Sequence, residues 1–81
     1  DEASFELLFE RHRRRVALTV ARFFREREQI EDLVQETFVK AFFAIDSFSG
    51  EHEKSFAAWL ARIAANAAYD ELRRAKRQPA S

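Results

Sequence analysis

Two histidines, no cysteine and a single glycine leave this chain few routes to catalysis. Neither His12 nor His52 has a Glu or His at metal-ligand spacing. Phe9 and Ser49 stand where the Glu-x-x-His pairing of di-iron bundles needs its glutamates. No glycine-rich phosphate loop and no Ser-His-Asp set can be placed. Glu51-His52-Glu53 reads as a solvent-exposed loop tip, since one imidazole between adjacent acids does not converge on a cation. The residues argue against an enzyme, and no cofactor, metal or small-molecule substrate is expected.

Binding is better served. Trp59, Arg62, Asn66, Tyr69 and Arg73 recur at steps of three and four, within a sector about 80° wide on a helix. Aromatic planes for bases, guanidinium groups for phosphates and an amide for base edges are what single-stranded nucleic acid requires. Trp59 taken alone would read as a core-edge residue; the row taken together points outward. A second constellation joins Asp32, Gln35 and Glu36 to Val39 and Phe43 one turn later. An acidic and amide patch that runs into exposed apolar residues resembles a docking face.

Helices must carry both. From Ile30 to Ser47 the apolar residues Ile30, Leu33, Val34, Phe38, Ala41, Phe42 and Ile45 form one buried stripe, with the acidic patch opposite. Before it, Phe5, Leu8, Phe9, Val16, Val20, Phe23 and Phe24 give a long amphipathic stripe with His12 on it, a core or boundary histidine. Arg11, Arg13, Arg14 and Arg15 wrap around the same segment as an exposed face or a weak phosphate patch. After it, Phe56, Leu60, Ile63, Ala64 and Ala67 make a third stripe, whose alanines permit close approach of a neighbouring helix. Ser4 and Ser55 are expected N-caps. Ser47-Phe48-Ser49-Gly50 supplies turn chemistry. The expected fold is all-α, a three-helix bundle with helices over about 5–25, 29–46 and 55–77 in one domain spanning 1–81.

One Gly, one Pro and 35% charged residues agree with an almost wholly helical chain, and nine Phe with one Trp supply the packing that 81 residues need. The absence of cysteine suits a reducing compartment, and no apolar run approaches the ~20 residues that span a bilayer. The net charge of zero hides two poles: Glu28, Glu31, Asp32 and Glu36 lie together, while Arg73, Arg74, Lys76 and Arg77 crowd the other end. Ordinarily such runs are solvated helix faces. The chain opens without Met and closes on Pro-Ala-Ser, as a fragment of a longer protein would.

DLVQETFVKAF at 32–42, AIDSFSGE at 44–51 and SFAAWLARIAANAAYDELRR at 55–74 resemble region 2 of the extracytoplasmic-function (ECF) sigma factors of bacterial RNA polymerase. FELLFERHRRRV at 5–16 is similar to the segment that leads into that region, so the resemblance covers about residues 4–77. It implies a cytoplasmic, non-enzymatic transcription initiation domain. Asp32, Gln35 and Glu36, extended by Val39 and Phe43, become contacts to the coiled-coil clamp helices of the polymerase largest subunit. The loop 46–54, with Phe48 as a wall and Ser49 and Gly50 beside it, becomes a pocket for a flipped base of the minus-ten non-template strand. Asn66 matches an asparagine of the family's base pocket, while Trp59, Arg62, Tyr69, Arg73, Arg74 and Arg77 complete the DNA-binding set. An anti-sigma factor is a further partner by family analogy.

This chain departs from the family pattern at Ala57, Ala58, Ala61 and Ala65, where basic or polar residues are frequent, and at Phe43, a position often basic. The helix-turn-helix domain that normally follows and the short helix that usually precedes Ser4 are not in the sequence. Weak, salt-sensitive DNA binding is therefore expected of this chain alone. The alternative reading is a helical protein-protein interaction domain without DNA binding.

Overall fold

Three helices wind around a core to which each contributes a stripe of apolar side chains. The computed structural model describes residues 2–48 and 53–77, with side chains for 6–48 and 55–76. Helix α1 covers Glu2–Val20, α2 covers Arg27–Ala44, a 3-10 turn covers Ile45–Ser47, and α3 covers Glu53–Arg77. Each helix packs on the other two, and among the described residues there is no strand. The all-α three-helix expectation is met.

The core is Val16, Val20 and Phe24; Leu33, Val34, Phe38 and Ala41; and Phe56, Leu60, Ala64, Ala67 and Ala68. Leu60 is among its largest fully enclosed side chains. Ala64, Ala67 and Ala68 of α3 are fully enclosed against their neighbours. Thr37 is also fully buried, and its hydroxyl donates to the Leu33 carbonyl at 2.7 Å, which removes the cost of an unpaired polar group in the core. His12 is buried with its ring 5.1 Å from that of Phe56, a core histidine as the sequence suggested.

Helix ends differ from the sequence expectation. α1 stops at Val20 rather than near residue 25, because short i to i+3 bonds tighten the chain there: Arg22 N–H donates to Thr19 and Phe23 N–H to Val20. Phe23 and Phe24 continue the apolar period beyond the helix, and this turn lets Phe24 reach the core. α2 begins two residues early, at Arg27, behind an extended Glu26 that makes no side-chain cap. Glu28 in its first turn offsets the exposed amides by charge. Ser4 and Ser55 lie inside their helices, which start at Glu2 and Glu53, so neither occupies an N-cap. After α2, Ser47 Oγ donates to the Ala44 carbonyl at 2.7 Å and Phe48 N–H to Ile45 at 3.1 Å. No described helix is long and apolar enough to cross a membrane.

Candidate functional site

α2 turns its acidic and apolar residues outward along one side. Asp32, Gln35 and Glu36 are exposed. Val39 and Phe43 follow at 54% and 80% exposure, too much for core residues of their type. The face divides along the helix. Toward α3 lies an acidic cleft of about 300 Å³, lined by Glu26, Glu28, Asp32, Glu36 and Glu71 with Leu33 as floor. Toward α1 lies an apolar groove of about 540 Å³, whose walls are Phe9, Phe38, Val39, Phe42 and Phe43, with Gln35 at its edge.

Phe42 corrects the sequence expectation. Apolar spacing puts it in the buried stripe, but it is 39% exposed and forms a wall of the groove, with its ring set edge-on to Phe43 at 5.6 Å. The reason is local: it sits at the edge of the stripe, over the groove rather than under a neighbouring helix.

The row on α3 is displayed as a surface. Arg62, Asn66, Tyr69 and Arg73 are exposed, and Trp59 is half-buried. Trp59 packs on Phe48 at 5.1 Å and Phe56 at 5.6 Å, joining the end of the 3-10 turn to the start of α3. Phe48 is thus held between Trp59 and Phe56, 5.5 Å from the latter. At the other end of the row Tyr69 meets Phe23 edge-on at 4.9 Å.

Ion pairs sort the cations. Arg73 pairs with Asp70, and Arg74 with Glu71. Arg74 lines the acidic cleft beside α2, so the structure sets it apart from the exposed row. Lys40 reaches Glu36 at 3.1 Å and Asp70 at 3.8 Å, joining the acidic face of α2 to α3. Sequence reasoning passed over Lys40, Glu26, Glu71 and the Phe9 wall, because their roles depend on which helices meet. Ser49, Gly50 and His52 lie outside the described residues, as does the side chain of Arg77. Among the described residues no group of three or more His, Asp or Glu is placed to hold a metal.

The Sigma-70 region 2 family model matches residues 8–78. A protein of Haemophilus influenzae named ECF RNA polymerase sigma-E factor is 42% identical over 79 residues, covering 98% of this chain and 40% of that one. Proteins of the same name from Salmonella typhimurium LT2 and Escherichia coli K12 are each 41% identical over 81 residues, covering all of this chain and 41% of theirs. The chain therefore spans about two fifths of the length of these curated relatives. No solved structure matches it significantly.

Proposed function

Since this chain belongs to the sigma-70 region 2 family, we propose that it acts in transcription initiation, docking on the clamp helices of core RNA polymerase and capturing the melted minus-ten strand of promoter DNA. It binds and does no covalent chemistry. What carries the reading is that one small bundle leaves two unlike faces open at once: acids and apolar residues on α2, and aromatic, amide and guanidinium groups on α3.

The α2 face suits a basic helical partner. Its carboxylates steer and set register, and the groove beside Val39 and Phe43 supplies apolar area. The α3 row suits an unpaired strand. A flipped base costs a few kcal/mol of stacking, which contacts to its faces and edge must restore. Tyr69 and the exposed part of Trp59 offer planes, and the Asn66 amide offers both a donor and an acceptor. Arg62 engages no carboxylate among the described residues and is ready for a phosphate. Arg73 must exchange Asp70 for one, a small cost because exposed pairs contribute about 0–1 kcal/mol. Phe48, enclosed by Phe56 and Trp59, acts by seating Trp59 more than by meeting a base itself.

Asn66→Ala tests the strand assignment. Measured on single-stranded minus-ten oligonucleotides that differ at one base, it is expected to lose about 1–3 kcal/mol of discrimination at a single position. Unchanged specificity would remove Asn66 from the base pocket. A wild-type chain that binds neither these strands nor a clamp-helix fragment would leave the simpler reading, a helical interaction domain with another partner.

A further inference from the structure

We propose that the turn between α1 and α2 extends the strand-binding flank, with Arg22 and Arg25 holding backbone phosphates of the DNA beyond Tyr69; this rests on the strand-binding reading of α3. Continuity is the first argument. Phe23 lies in edge contact with Tyr69, so the α3 row does not end at its last aromatic but passes onto this turn. There Ala21, Arg22, Phe23, Phe24, Arg25 and Ile30 line a cavity of about 440 Å³, with an apolar floor and two guanidinium groups.

Charge availability is the second argument. Arg13, Arg27, Arg73 and Arg74 all engage carboxylates. Arg22 and Arg25 are exposed and engage none among the described residues. Sequence alone makes this unexpected, because Glu26 and Glu28 follow directly in the chain. Both of those acids line the cleft between α2 and α3 with Asp32, Glu36 and Glu71, whereas Arg22 and Arg25 line a separate cavity. The turn therefore separates the signs, with its acids in one cavity and Arg22 and Arg25 in another. An anionic partner that follows α3 past Tyr69 reaches Phe23 and the cavity lined by Arg22 and Arg25.

Reach is the third argument. Ten residues separate Trp59 from Tyr69, about 15 Å along the helix, which serves roughly four nucleotides at 3.4 Å per step. For phosphates beyond that span, α3 offers Arg73 and Arg74, already paired with Asp70 and Glu71, and the exposed Lys76. Arg22 and Arg25 add two exposed cations on the turn that Tyr69 touches, neither engaging a carboxylate among the described residues.

The test compares the wild-type chain, Arg22→Gln with Arg25→Gln, and Arg22→Lys with Arg25→Lys. Each is titrated with a bare single-stranded minus-ten element and with the same element carrying four extra nucleotides on either side. The glutamine pair is expected to weaken binding of the longer strand about tenfold at low salt, equally for every base variant. It should also flatten the dependence of log K on log salt by about 1.4, at about 0.7 per lost phosphate contact. The bare element should bind as before, and the lysine pair should keep most of the salt slope. Wild-type affinity and slope for the glutamine pair on the longer strand overturn the proposal. If Asn66→Ala still loses base discrimination in that case, the α3 reading stands and only this extension falls. If the wild-type chain binds neither strand, both fall together.

Discussion

Asp32→Arg combined with Glu36→Arg is expected to weaken binding to a clamp coiled-coil fragment by roughly 100-fold or more, about 3 kcal/mol. Both carboxylates line the cleft that also holds Glu26, Glu28 and Glu71. Under the proposed clamp reading, reversal sets two cations against a basic partner surface, and like-charge contacts there cost more than simple loss of attraction. The fold should survive, because both side chains are exposed. Losing Glu36 takes one partner from Lys40, which keeps Asp70, and such surface pairs contribute little to stability. Calorimetric or fluorescence titration against the fragment, with a thermal melt by circular dichroism as control, decides the matter. Retained affinity would sink the clamp assignment. Phe43→Ser is a milder companion: at 80% exposure its ring does nothing for the core, so any affinity it loses belongs to the interface.

Leu60→Ala should have the largest effect on folding, a loss of about 2–5 kcal/mol. Leu60 is 1% exposed in a core whose α3 members include Ala64, Ala67 and Ala68, whose single methyls cannot reach far into a void. Domains of this size have ~5–15 kcal/mol in hand at most, so a substantial fraction of the variant should be unfolded under mild denaturant. Urea titration followed by helical circular dichroism should show a lower midpoint with an unchanged slope. A loss below about 1 kcal/mol would mean that the helices close around the gap.

The helices and their buried stripes were legible in the sequence because large apolar residues repeat at three and four, a pattern that survives whatever the helices pack against. Their ends were less so. Phe23 and Phe24 keep the period through a turn, so periodicity alone runs α1 past Val20. α2 begins without a capping side chain, leaving no residue type to mark its start. Ser4 and Ser55 carry the cap chemistry but fall within helices. The exposed rows on α2 and α3 were equally legible, since each is local to one helix. What one helix cannot reveal is its neighbour. Phe42 becomes a groove wall only where α1 and α2 diverge, Lys40 links two helices, and Arg74 turns toward the acids of α2. These depend on crossing geometry, which no spacing within a helix encodes.

The packing of Trp59 on Phe48 and Phe56 has a practical consequence. As the sole indole of the chain, it is an intrinsic optical probe at the junction between the 3-10 turn and α3. Its emission should respond to a nucleobase stacking on its open side. Strand binding could then be followed in one cuvette, with no dye attached.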